Sequence, residues 1–243
     1  MLYNMGLKTL FIYDWDDNIM IMPSILHLEK RVGVKWVPVD VTPSTYAKIK
    51  YDDDIRDFDG SYEDFHMDEK FIRHLSKGIN QATFGPSYKN FKKTLINGDD
   101  FAILTARGHS PNIIKTGVAL LIYKTFSVDE LLAMEKKVGD IGEYLSDQEY
   151  FTVSSPQFNE MFETDNTQRT KDKKSKALLK FINDKIEYYN DYFVDDFLVV
   201  FSDDDLDNVE AAVELFTKLK LIHPNVDFNI FDTSEKIKKK ITI

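Results

Sequence analysis

The chain contains no cysteine, which excludes disulfides, thiol nucleophiles and thiolate-ligated metals. A reducing, cytoplasmic setting is the expectation that goes with this. Long apolar runs are missing too: none approaches the roughly 18 residues that span a bilayer. The start, MLYNMGLKTLFIYDWDDN, places Lys8 ahead of a short apolar stretch. Acidic residues interrupt that stretch and no small-residue cleavage site follows, so it reads as a strand rather than a secretory leader. No membrane partner is expected. Positive charge is scarce, with 31 Lys and Arg against 41 Asp and Glu and a net charge of −10. Such a surface repels polyanions, which excludes bulk nucleic-acid binding but leaves room for a nucleic-acid end in a local basic groove. There is no internal repeat and no low-complexity linker. The only basic runs are 169–176 (RTKDKKSK) and 236–240 (KIKKK).

What is present is globular. Hydrophobic residues make up 43% of the 243 and aromatics 13%, enough to bury a core in one α/β domain with an insertion or in two small domains. Residues 8–13 (KTLFIY), 101–104 (FAIL), 150–153 (YFTV), 197–201 (FLVVF) and 226–231 (VDFNIF) are short apolar runs. Each stops abruptly in polar residues, the pattern of buried parallel strands. Helices are predicted between them. Residues 111–124 follow Ser110 as N-cap and begin with Pro111. Residues 127–137 open with the capping box Ser127–Glu130. Residues 174–189 put Leu178, Phe181, Ile182 and Ile186 on one face, and 206–220 do the same with Val209, Ala212, Val213, Phe216 and Leu219. Strands alternating with helices indicate βαβ units.

The stretch 19–99 breaks this rhythm. About 80 residues is too long for a plain crossover, so it reads as an α+β insertion covering the site. It includes two predicted helices near 68–78 and 86–97. The organisation expected is therefore a core of residues 1–18 and 100–243, with 19–99 inserted. The insertion and the segment 126–149 are expected to shape the entrance.

Three polar clusters follow predicted strands: DWDDN at 14–18, TARGH at 105–109 and SDDDLDN at 202–208. In open α/β sheets ligands bind beyond the carboxyl ends of the strands. The sheet would gather Asp14, Asp16, Thr105, Asp203 and Asp204 there. Each like-charged carboxylate pair about 4 Å apart costs roughly 4 kcal/mol at an effective dielectric near 20. Against a total stability on the order of 5–15 kcal/mol, several such pairs call for a cation. All-oxygen ligands suit Mg2+, which keeps waters and binds substrate phosphate.

The string LFIYDWDDN resembles the first motif of the haloacid dehalogenase superfamily, an apolar strand followed by D-x-D-x-[TVN], matched by Asp14, Asp16 and Asn18. FAILTARGH resembles its second motif, ending in Thr105. VVFSDDDLDN resembles its fourth, ending in Asp203 and Asp204, with Asn208 a turn later. The motifs stand in the family's order and cover roughly residues 8–18 and 100–231. The combination of LTARG and DD is similar to the phosphatase domain of phage polynucleotide kinases and to small phage- and virus-encoded members.

The resemblance implies a three-layer Rossmann-like core and an Mg2+-dependent phosphatase working through an aspartyl phosphate on Asp14. Asp16 would protonate the leaving oxygen and then activate water, its carbonyl also ligating Mg2+. Thr105 would hydrogen-bond a phosphoryl oxygen, and Asp14, Asp203 and Asp204 would hold the metal. Arg107 could grip the substrate phosphate with its planar fork, with Asn18 and Lys176 as further substrate contacts. The family's lysine falls among Lys171, Lys173, Lys174 and Lys176. Lys174 is chosen because Ala177, Leu178 and Ile182 would seat its helix on the sheet, with Lys176 and Lys173 behind it. The resemblance also implies a small phosphorylated substrate, a nucleotide or a nucleic-acid end, in the host cytoplasm if the chain is viral.

Plainer roles stand beside these. Thr105 could simply cap a strand end, Asp205 could be the N-cap of the helix at 206–220, and Asp52–Asp54 could be a loop. His109 is expected as a loop residue, and Trp15 as packing against the insertion. Two other functions are compatible with the residue types. One is a receiver-type phosphoacceptor domain, disfavoured by the D-x-D spacing and by the length. The other is a catalytically silent binding protein of the same fold.

Overall fold

The computed structural model describes residues 8–165, 167–191, 197–235 and 238–243. The first seven residues, and the start of the basic run at 236–237, lie outside them. The fold is α/β, with a six-stranded, mostly parallel sheet between two layers of helices. β1 (Lys8–Tyr13) is central, flanked by β5 (Asp100–Thr105) and β7 (Phe197–Asp203). Beyond β5 lies β6 (Glu149–Thr152), and beyond β7 lies β8 (Val226–Asp232). These five strands pair in parallel, while the edge strand β9 (Lys239–Thr242) runs antiparallel to β8.

All five apolar runs seen in the sequence are strands. A strand covered on both faces needs apolar side chains at successive positions, because alternate residues point to opposite sides. Leu10 and Ile12 enter one core with Ala102, Leu104, Phe197, Val199 and Phe201, covered by α8 (Thr170–Asp191) and α9 (Leu206–Ile222). Tyr13 enters the other with Phe101 and Ile103, under α2 (Asp68–Asn80), α3 (Tyr88–Asn97) and α4 (Pro111–Thr125). Each fully buried Leu or Phe of this kind contributes roughly 1.5–3 kcal/mol.

The helix starts obey their local signals. Ser110 accepts a bond from Ile113 N, and Ser127 and Glu130 close the capping box of α5 (Val128–Val138). α8 begins at Thr170, earlier than the periodicity alone suggests, which places Lys174 in its second turn.

Within 19–99 two kinds of structure occur. β2 (Leu26–Val32), β3 (Lys35–Val41) and β4 (Ile55–Arg56) form a separate antiparallel sheet in the order β3-β2-β4. It has its own small core of Leu26, Leu28 and Val41 and carries α1 (Pro43–Ile49). α2 and α3 instead bury Phe71, Leu75, Phe91 and Leu95 in the main core. Among the described residues no helix is long and apolar enough to cross a membrane.

After β6 the chain returns across the sheet to β7 on the far side of β1. That reversal leaves a crevice at the carboxyl ends of β5, β1 and β7, the favoured ligand position in open α/β sheets.

Candidate active site

The backbone leaves β1 through a tight turn. Asp17 N bonds Met20 O, and Ile19 N and Met20 N both bond Trp15 O. Asp17 adopts a left-handed φ of 51°, a conformation that Asp tolerates better than most residues. Trp15 is fully buried against Phe71, not in the crevice. Asn18 locks the turn. Its amide donates to Asp14 O and Ser202 O, and its Oδ1 accepts from Ser202 and Thr233 hydroxyls. With all these bonds inside the protein, Asn18 supports the turn instead of facing a ligand.

Asp14 lines the crevice next to Asp203 and Asp204, and the three carboxylates can place oxygens within 4.8 Å of one another. Lys174 reaches between two of them, with Nζ 2.6 Å from Asp14 Oδ1 and 2.8 Å from Asp203 Oδ2. Asp203 is fixed further by Asp205 N and by the Asn208 amide. Asp14 Oδ2 and both oxygens of Asp204 take no hydrogen bond among the described residues. Burial pushes the Asp14 carboxyl well above its ordinary pKa; Lys174 pulls it down, while Asp203 and Asp16 push it up again. Asp204 is raised by burial and then by Asp14 and Asp203. Burial works against the Lys174 charge, but Asp14 and Asp203 outweigh it and hold the ammonium pKa above the usual lysine value. One ammonium therefore does not balance the cluster. Hard oxygen donors, with Asp204 uncommitted, fit a divalent cation held by Asp14, Asp203 and Asp204.

Arg107 does something other than face the solvent. Its side chain is 0% exposed and its guanidinium forks onto Asp16, at 2.8 Å from Oδ2 and 2.7 Å from Oδ1. It also donates to Ser24 Oγ and Asp64 O and lies against the rings of Phe65 and Phe71. Its donors are used within the protein, so it positions Asp16 instead of gripping a substrate. Thr105 is buried at the end of β5, where its Oγ1 accepts from Arg107 N. Ala106, not Thr105, reaches the crevice wall. Lys176 is exposed, with only a long contact to Gln168, and is not part of the wall.

The crevice encloses about 490 Å³. Its roof comes from the small sheet and α1, through Leu26, Pro43 and Tyr46, and from Tyr62 and Phe65 in the segment between β4 and α2. Lys50 ties that roof to the start of α9 through Asp205 and Asp207, and Tyr51 adds a bond to Asp207. No residue of 126–149 lines the crevice; α5 and the short helix α6 (Ile141–Ser146) pack on the far side with Phe101. The side wall is instead Ser154, Gln168, Thr170 and Lys173. Asp205 is the N-cap of α9, and the Asp52–Asp54 run is an exposed or half-exposed turn.

The missed residues are of two kinds. Ser202 stands beside Asp203 in FSDDD and could have been flagged by position. The roof residues and Thr233 carry no sequence signal, since nothing in their spacing ties them to the motifs. No family model, curated protein or solved structure matches this chain.

Proposed function

We propose that this chain is an Mg2+-dependent phosphomonoesterase of the haloacid dehalogenase type that forms an aspartyl phosphate on Asp14. The observation that carries the reading is the bridging of Asp14 and Asp203 by Lys174, with Asp204 alongside, at the switch point of a parallel sheet. A carboxylate attacking a phosphate must overcome like-charge repulsion, and a buried ammonium touching the nucleophile reduces it. Asp14 Oδ2, without a hydrogen-bond partner among the described residues, is the attacking oxygen.

The bond made is Asp14 O–P, and the bond broken is between phosphorus and the leaving oxygen. Asp16 lies in the same crevice. The Arg107 fork uses one lone pair on each Asp16 oxygen and leaves others available for a proton. Asp16 gives that proton to the leaving oxygen. It then takes one from the water that attacks the acyl phosphate, which releases orthophosphate and restores Asp14. Asp14, Asp203 and Asp204 would hold Mg2+, which would add further neutralisation of charge at the phosphoryl oxygens.

The crevice volume suits a small phosphate ester, a mononucleotide or a single nucleic-acid end, in a cytoplasmic setting. Phosphate release from p-nitrophenyl phosphate and from 3′- and 5′-phosphorylated oligonucleotides tests the reading. Release should require Mg2+ and fall by more than about a thousandfold in Asp14→Asn, because a carboxamide is not a nucleophile. Metal binding with no release from any ester would favour a silent binding protein. Stable phosphorylation without turnover would favour a phosphoacceptor domain.

A further inference from the structure

Three lysines face the crevice, and two have carboxylate partners. Lys174 is held by Asp14 and Asp203, and Lys50 by Asp205 and Asp207. Lys173 is different. It is 3% exposed, yet its Nζ bonds only the neutral Oδ1 of Asn159, at 2.9 Å. No carboxylate forms an ion pair with it among the described residues. A buried ammonium without an ion-pair partner is costly; burial lowers its pKa from the ordinary lysine value, and the Asp165 charge offsets this only in part. An ammonium has three N–H donors, and one is used.

The surroundings of Lys173 suit an anion. Ser154, Gln168 and Thr170 share its side of the crevice, and none is acidic. Thr170 and Lys173 belong to the first turn of the 22-residue α8, where the helix dipole favours negative charge. The carboxylates Asp14, Asp203 and Asp204 belong to the ends of β1 and β7 instead.

We propose that Lys173 and the start of α8 form a second anion subsite, beside the position of the phosphoryl group under attack. The substrate is then a phosphate monoester whose leaving group carries another anionic group, a carboxylate or a second phosphate. Lys173 determines specificity because the second anion supplies the ion-pair partner it lacks. This rests on the phosphohydrolase reading.

Non-hydrolysable probes test it by calorimetry at saturating Mg2+: propylphosphonate, 3-phosphonopropionate and propane-1,3-bisphosphonate. The native protein should bind one of the two doubly anionic probes about tenfold or more tighter than propylphosphonate, the gain of one charge-assisted hydrogen bond. Which of the two wins identifies the second group as carboxylate or phosphate. In Lys173→Met the preference should shrink to less than about threefold, and Lys173→Arg should keep most of it. Lys173→Gln serves if the methionine variant does not fold. Equal affinity for all three probes, or a preference unchanged in the methionine and glutamine variants, overturns the subsite while leaving the phosphohydrolase reading intact. No binding of any phosphonate overturns both.

Discussion

His109 is fully buried between the Phe71 ring and the backbone of Met67. Its Nε2 donates to Met67 O at 3.1 Å and its Nδ1 has no partner, the arrangement of a neutral imidazole. Burial, and then the Arg107 charge, lower its pKa to about 4. The unfolded chain has the ordinary value near 6.5. Between those values the unfolded state takes up a proton that the folded state refuses, so stability is present above pH 6.5 and is lost as pH falls toward 4. The loss attributable to His109 is about 3 kcal/mol by pH 4. Urea unfolding of the native protein and of His109→Gln at pH 7 and pH 4 measures it, since the carboxylate titrations are common to both. Identical pH dependence in the two proteins would remove the argument. At this scale the sequence shows residue type, and only type combined with place after a strand, with helix periodicity and with the motif resemblance singled out Asp14, Lys174, Asp203 and Asp204. It was not enough for Arg107, whose fork suits a phosphate or a carboxylate equally well. The partner it meets, Asp16, lies 91 positions away in the chain.

The turn that carries Asp14 and Asp16 is held from outside by the segment just before α3. Gly85 N bonds Ile19 O and Ser87 N bonds Asn18 O. A Cβ on Gly85 would lie 2.3 Å from Asn18 O and 2.5 Å from Asn18 C. Both are backbone atoms and cannot swing aside. Gly85→Ala should therefore cost about 1–3 kcal/mol in thermal unfolding, the range for overpacking a tight site. It should also lower turnover by moving the turn. A variant with native stability and native turnover would show that the turn tolerates displacement. Elements are where the sequence was most legible, because strand burial and helix caps are local signals. The edge strand β9 was not legible: KKIT lacks an apolar run, and its pairing with β8 adds only the Ile241 contact and a Thr242–Asn229 bond to the backbone ladder. The entrance was also misjudged at 126–149. An amphipathic helix announces that it has a buried face without saying which surface that face meets.

The whole molecule is acidic, and its densest acidity is gathered at one place by the sheet. A cation that binds the folded state but not the unfolded one stabilises by mass action, about 2.7 kcal/mol at a hundred times its Kd. Mg2+ should raise the unfolding midpoint over that in chelator, and the increment should vanish in an Asp203→Asn, Asp204→Asn double variant. An equal rise with NaCl at matched ionic strength would mean general screening of a net charge of −10 instead of a site.

The alternation of apolar runs with capped helices pointed to a mostly parallel α/β sheet, since helical crossovers cover such strands on both faces. The position of acidic residues just after those runs determined that carboxylates would meet at one edge. Only the tertiary structure decided which cation each carboxylate meets: Lys174 for Asp14 and Asp203, Arg107 for Asp16, and Lys50 for Asp205 and Asp207. Only it left Lys173 without an ion-pair partner among the described residues. A hydrophobic period is a property of neighbours in the chain, whereas charge pairing depends on distances of a few ångströms between segments far apart in it.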